Sequence, residues 1–142
     1  MPIIKFFMPK GVPEDQIDKK FIQGMIDRMC VGFFNYGSMR RYEVKSHSLK
    51  NIKIRIKKYE QTKNTEFLMD AANYCMMEFV VPSFEKAFFK PTDKSESPGA
   101  IVDGKLVKGK EHYTKNQLER IEQAGLKDHK KIERRLYNRE GD

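Results

Sequence analysis

The chain has 142 residues, of which 39% are hydrophobic and 34% charged, and its net charge is +8. This composition excludes an intrinsically disordered chain and favours an ordered, soluble protein. No apolar run approaches the roughly 20 residues that a membrane-spanning helix needs, and the short apolar start is not followed by a cleavage site for secretion. We therefore expect a single domain over residues 1–142, located in the cytoplasm and not in a membrane.

The first predicted elements are a short apolar segment and a helix. Residues 3–8 are apolar and aromatic and end at Pro9, which fits a short strand or a segment packed on helices. A first helix is predicted over residues 14–36, because acidic residues suit its positive end and apolar residues recur at helical spacing. Gly37 suits its end.

Two further helices are predicted before Pro82. The second begins after residues 46–48 and carries an inward stripe of Leu49, Ile52, Ile56 and Tyr59. The third is capped by Asn64 or Thr65. We expect the three helices to form an antiparallel bundle with a shared core, in which Cys75 and Cys30 are reduced, buried thiols. The predicted core consists of Ile26, Met29, Phe33, Ile52, Ile56, Leu68, Ala72, Cys75 and Phe79.

The last third of the chain predicts a hairpin and a fourth helix. Residues 83–113 read as a loop and hairpin, because Asp103 and Gly104 form a two-residue turn between the segments 100–102 and 105–107. A capping-box spacing at 114–117 opens a C-terminal helix over 114–142. The fold class is therefore mainly α, with a bundle of about four helices built on residues 14–82, a small β-hairpin, and an optional N-terminal strand.

Positive charge is concentrated between Gly37 and Lys63. This segment has nine basic residues against two acids, a net charge of +7. Such a field attracts nucleic acid, a nucleotide or an acidic protein, although a solvated helix face explains it equally well.

The third helix also carries a polar face formed by Glu66, Asp70 and Asn73. Mg²⁺ prefers oxygen ligands, so Glu66 and Asp70, one turn apart, are the best metal candidates in the chain. Further carboxylates from another helix would be needed. The alternative is that Glu66 supports the helix start while Asp70 and Asn73 bond to a neighbouring segment, and we favour this structural interpretation.

The stretch 64–74, preceded by a basic helix and by Asn35, Tyr36 and Gly37, resembles a family of small proteins encoded by tailed phages. More distantly, residues 21–79 resemble the MazG-type all-helical nucleotide pyrophosphohydrolases, in which an acid-rich helix binds Mg²⁺ and a nucleoside triphosphate. The resemblance implies that Glu66 and Asp70 match those acids and that the protein is a homo-oligomer. The first helix has no pair of glutamates, which favours binding over hydrolysis.

Three functions follow as hypotheses. The first is a phage-encoded nucleotide-binding protein with an anti-defence role, which sequesters a host signalling nucleotide in the cytoplasm of the infected cell. The second is a Mg²⁺-dependent pyrophosphohydrolase, and the third is a nucleic-acid-binding accessory protein that uses the second helix. We favour the first, in which aromatic side chains such as Tyr36, Tyr74 or Phe89 stack on bases. Its predicted ligand-binding residues are Arg40, Arg41, Lys63, Asn64, Asp70, Asn73 and Tyr74.

Overall fold

Three α-helices and one β-hairpin form the regular part of the structure. The computed structural model describes residues 5–38, 47–92, 96–108, 114–116 and 119. In chain order the elements are α1 (Lys19–Tyr36), α2 (Ser48–Thr62), α3 (Glu66–Val80), β1 (Ala100–Val102) and β2 (Lys105–Val107). The mainly helical fold with a small antiparallel hairpin is thus confirmed, and the described elements include three of the four predicted helices.

Backbone contacts divide the chain into two compact units. One unit, Ile17–Ala87, holds the three helices, and the other, Met1–Gln16 with Phe88–Asp142, holds the hairpin. The expectation of one single domain stays a prediction. The helical unit contains every predicted ligand-binding position that the structure describes.

The start of α1 lies later than the sequence predicted. Residues Glu14–Gln16 form only a 3-10 turn, and α1 begins at Lys19. Asp18 is the reason, because its Oδ1 accepts a 2.7 Å hydrogen bond from the Phe21 N–H and so caps the helix. The predicted end is correct: Gly37 has φ 83° and its N–H donates to the Phe33 carbonyl at 2.7 Å.

A three-residue connection folds α2 and α3 into an antiparallel pair. Lys63 adopts the left-handed conformation with φ 63°, which ends α2 and reverses the chain. About ten residues from the turn on either side, the Arg55 guanidinium carbon lies 4.8 Å from the centre of the Tyr74 ring. This cation–π contact fixes which faces of α2 and α3 meet.

α1 packs on a different side of α3. Met25 and Arg28 of α1 are hydrogen-bonded to Asn73 and Asp70 of α3, so residue numbers rise along one helix as they fall along the other. A Cβ built on Gly24 would lie 2.5 Å from Met69 Sδ, which shows how closely the two helices approach. Among the described residues, the extensive helix contacts are those of α3 with α1 and with α2. The three helices therefore form an open layer with α3 in the middle.

Because the layer is open, much of the predicted core is wrong. Phe33 is 54% exposed, and Ile56, Cys75 and Phe79 are exposed as well. Cys30, predicted to be a core thiol, is also exposed. The other predicted core residues, Ile26, Met29, Ile52, Leu68 and Ala72, are only partly covered. The covered side of α2 carries Ser48, Ile52, Arg55 and Tyr59, so two residues of the predicted inward stripe lie on it, whereas the other two, Leu49 and Ile56, are exposed.

The β-hairpin has the predicted strands and turn. Ala100 pairs with Val107 and Val102 with Lys105. Asp103 and Gly104 have φ values of 48° and 76°, the left-handed angles that a two-residue turn requires.

The two ends of the chain are described only in part. The optional N-terminal strand is not formed over residues 5–8, which are irregular. Most of the predicted C-terminal helix lies outside the described residues, although Lys115, Asn116 and Glu119 are helical.

Candidate functional site

Both predicted metal-binding carboxylates lie beside an arginine. Arg28 Nε donates to Asp70 Oδ1 at 3.0 Å and Arg28 Nη2 donates to Asp70 Oδ2 at 3.1 Å, a bidentate pair across the interface of α1 and α3. Arg28 Nη1 also lies 3.5 Å from Glu66 Oε1. The planar guanidinium therefore occupies the space between the carboxylates of Glu66 and Asp70.

The two neighbouring carboxylates affect the pKa of Arg28. The hydrogen bond to Asp70 raises the pKa of Arg28 above its usual value, and the charges of Asp70 and Glu66 add to the effect, while partial burial opposes it. The guanidinium thus stays cationic at every ordinary pH. A metal ion at Glu66 and Asp70 would have to displace this cation, so these two residues, as arranged, do not fit a Mg²⁺ site.

Further metal ligands are not gathered elsewhere in the part of the chain that the structure describes. There, no three histidine, cysteine, aspartate or glutamate side chains lie close enough to share an ion. Asp27 is the one acidic residue of α1, and it accepts a 2.9 Å hydrogen bond from Gln23 on the same helix.

Asn73 is the buried polar residue of the same interface. Its side-chain amide donates a 2.8 Å hydrogen bond to the Met25 carbonyl, and the residue is 6% exposed. The amide therefore ties α3 to the backbone of α1. Such a bond satisfies a buried polar group, which is the structural role that the sequence offered as the alternative to ligand binding.

The turn before α3 supplies its own hydrogen-bond partners. Asn64 Oδ1 accepts from the Glu66 N–H at 3.1 Å, and the next two N–H groups, of Phe67 and Leu68, donate to the carbonyls of Asn64 and Thr65. The Lys63 ammonium donates to the Glu60 carbonyl at 2.7 Å. The start of α3, next to the predicted ligand-binding residues Lys63 and Asn64, thus has its first N–H groups engaged.

The remaining predicted ligand-binding residues differ in how they are placed. Tyr74 has the Arg55 guanidinium over its ring, and Arg55 in turn donates to Asn51 Oδ1 at 2.9 Å. Arg40 and Arg41 lie outside the described residues. Within the described part, the structure therefore brings Asp70 and Asn73 to one interface, and Lys63 and Asn64 to the turn, but it does not gather all four around one pocket.

A different surface of α2 carries accessible charge. Lys50, Lys53 and Lys57 follow one another at spacings of three and four residues, which places them on one side of the helix. All three are exposed, and that side faces away from α3. We call these three residues the basic face. No ion pair between described residues involves any of them.

Arg28, which lies between the two carboxylates, was not among the residues predicted for the site. A signal was present, because a cation among the apolar residues of α1 calls for an anionic partner, and the polar face of α3 offered one. Gly24 gave a second signal, since glycine inside a helix often marks a close approach of another element.

Comparison with known proteins finds no match to this chain among family models, curated proteins or solved structures. No helix among the described residues is long and apolar enough to cross a bilayer.

Proposed function

We propose that this protein binds nucleic acid through the basic face of α2. The observation that carries the proposal is the row of exposed lysines, Lys50, Lys53 and Lys57, on the side of α2 that does not pack against α3. No acid occurs in α2 before Glu60. The row thus presents three positive charges along about 10 Å of helix, at 1.5 Å per residue.

A row of charges suits a polymer better than a compact ligand. Duplex DNA carries about one negative charge per 1.7 Å of axis, so an extended phosphate backbone can meet all three lysines at once. A single nucleotide would need donors that converge on one point. Four described residues that were predicted to bind a nucleotide instead form hydrogen bonds within the protein: Lys63, Asn64, Asp70 and Asn73.

The test is the salt dependence of binding to labelled oligonucleotides, followed by fluorescence anisotropy. Replacing any one of Lys50, Lys53 or Lys57 with glutamine should weaken binding modestly and lower the slope of log K against log salt by about 0.9 on duplex DNA and about 0.7 on single strands. Lys20→Gln and Lys86→Gln are the matched controls, because both lysines are exposed in the same unit but lie outside α2. They should leave the slope unchanged.

Two results would overturn this proposal. One is an oligonucleotide affinity that is unaffected by all three substitutions of the basic face. The other is binding of small nucleotides without binding of oligonucleotides, which would support the phage nucleotide-binding hypothesis and direct attention to Arg40 and Arg41. Release of pyrophosphate from nucleoside triphosphates, lost in a folded Asp70→Asn variant, would instead support the MazG-type enzyme.

A further inference from the structure

The last turns of α1 expose aromatic side chains. Phe33 is 54% exposed, Phe34 83% and Tyr36 75%, and the rings of Phe33 and Phe34 meet edge to face with their centroids 5.9 Å apart. The sequence has no acidic residue between Asp27 and Glu43. This end of α1 therefore combines accessible ring surface with the absence of a neighbouring negative charge on the same helix.

The exposed rings lie at the same end of the helical unit as the last lysines of α2. Both α1 and α2 are antiparallel to α3, so their C-terminal ends lie beside the turn that joins α2 to α3. Counted along α3 from these contacts, Phe33 and Lys58 differ in height by about six residues, or about 9 Å at 1.5 Å per residue.

Phe33 and Tyr36 also lie on the side of α1 that is turned towards α2. Each residue turns an α-helix by about 100°. On α3, Tyr74, which contacts α2, follows Asp70 by a rotation of about 40°. On α1, Tyr36 and Phe33 follow Arg28, the partner of Asp70, by about 80° and about 140° in the same sense. Because rotations of the same sense from an antiparallel contact lead to the same side, both rings lie on the side of α2.

Lys58 lies between these rings and the basic face. It is exposed, and no ion pair among the described residues involves it. Its rotation from Arg55 is about −60°, and that of Asp70, which contacts α1, is about −40° from Tyr74. Lys58 is therefore on the side of α2 that is turned towards α1, and it is the neighbour in sequence of Lys57. Positive charge thus continues from the basic face towards the rings.

We propose that the nucleic acid bound by this protein is single-stranded, with its bases stacked on Phe33 and Tyr36 and its phosphates along Lys58 and the basic face. The proposal rests on the binding of nucleic acid proposed above. Proteins that bind single strands without sequence preference combine a positively charged surface for the backbone with aromatic side chains for the bases. In a duplex the bases stack on one another, so their faces are not free to meet the rings.

Fluorescence anisotropy with a labelled single strand and with the matching duplex tests the proposal. Wild-type protein should bind the single strand more tightly. Phe33→Leu and Tyr36→Leu should each weaken single-strand binding by at least about fivefold, the effect of losing one stacked base. They should leave duplex binding and the salt slope unchanged, because no phosphate contact is lost.

Phe34→Leu is the matched control. Phe34 is more exposed than either of the two rings, but its rotation from Arg28 is about −120°, which places it on the other side of α1. The substitution removes the same aromatic surface as Phe33→Leu from the neighbouring position. The variant should bind the single strand like wild type.

A fluorescent reporter keeps the proposal testable if the leucine variants lose stability. The chain contains no tryptophan, so Phe33→Trp introduces a single indole that can still stack on a base. Its emission should be quenched when the single strand binds and much less when the duplex binds. Phe34→Trp should show little quenching with either.

Three results would overturn single-strand binding through these rings. They are equal affinity of the wild-type chain for single strand and duplex, unchanged single-strand affinity in both leucine variants, and equal quenching of the two tryptophan variants. Binding to phosphatidylserine vesicles that Phe33→Leu weakens, with oligonucleotide binding intact, would also overturn it and assign the rings to a membrane surface.

Failure of this inference is distinguishable from failure of the proposed function. If the lysine substitutions change the salt slope while the leucine variants bind like wild type, nucleic-acid binding stands and only the stacking is wrong. If no oligonucleotide binds at all, both proposals are wrong.

Discussion

Arg28 and Asp70 form a bidentate pair across the interface of α1 and α3. Charge-assisted hydrogen bonds contribute about 1.5–3 kcal/mol each when desolvated, but the Arg28 side chain is 39% exposed and water screens the pair. We therefore expect Arg28→Met and Asp70→Asn each to lower the free energy of unfolding by about 1–2 kcal/mol in urea titrations.

The double variant Arg28→Met/Asp70→Asn measures how much of each loss comes from the interaction between these two residues. If the two residues stabilise the protein through each other, the double variant should lose clearly less than the two single losses combined, with a coupling of at least about 0.5 kcal/mol. Strictly additive losses would mean that the bidentate geometry contributes nothing to stability.

Asn73 gives a second prediction at the residue scale. Its amide N–H group is a donor to the Met25 carbonyl, and a carboxylate of the same shape would be a charged acceptor in that place. Asn73→Ala should cost about 1–3 kcal/mol of unfolding free energy at neutral pH, and Asn73→Asp should cost more. Equal losses, or a larger loss for alanine, would contradict the hydrogen bond as described.

At this scale the sequence predicted the polar character of α3 but not its partners. Asp70 and Asn73 were expected either to bind a ligand or to bond to a neighbouring segment. Their partners, Arg28 and Met25, lie more than 40 residues away in sequence. Such pairs arise only when two helices dock, and the spacing within one helix contains no information about the angle of docking.

Among the elements, α1 contains two glycines in different surroundings. A Cβ on Gly24 would collide with the end of the Met69 side chain, whereas nothing lies within 4 Å of a Cβ on Gly32. Alanine is better than glycine inside a helix by about 1 kcal/mol. Gly32→Ala should therefore raise the melting temperature, and by more than Gly24→Ala, which also has to shift the flexible end of the Met69 side chain.

The Met69→Ala background provides the control for Gly24. With the methionine shortened, the collision is removed, and Gly24→Ala should then be more favourable than it is in the wild-type chain. An identical effect in both backgrounds would mean that the close approach of α1 and α3 has no energetic consequence.

Elements specified by local chemistry were predicted well. The β-hairpin was correct to the residue, because Asp103 and Gly104 specify their turn without help from the rest of the chain. The start of α1 was placed too early, because Glu14 and Asp18 both suit a positive helix end and only the structure shows that Asp18 is the cap.

For the whole molecule, the open layer changes what a large side chain contributes. Phe33 was expected in the core, where Phe→Ala costs about 3–5 kcal/mol. With 54% of its surface exposed, we expect Phe33→Ala to cost about 1 kcal/mol. Ala71, buried at 5%, is the contrast, since Ala71→Leu should cost about 1–3 kcal/mol by overpacking. If Phe33→Ala lowered the stability in thermal unfolding more than Ala71→Leu, that result would support the closed bundle predicted from the sequence.

The closed bundle could not be excluded from the sequence. Each helix carries an apolar stripe, and such stripes indicate that a surface is covered without saying what covers it. The sequence therefore predicted mutual burial, whereas in the described unit only α3 has a helix packed on two of its sides.

The unequal attachment of the helices has a consequence for the order of local unfolding. The pair of α2 and α3 is closed by three residues, so it loses little loop entropy when it forms. Eleven residues connect α1 to α2. α1 contacts α3 through the hydrogen bonds of Arg28 and Met25 and through the close approach at Gly24. Amide hydrogens of α1 should thus exchange with solvent through a lower-energy opening than those of α2 and α3, which would make α1 a separate cooperative unit of folding.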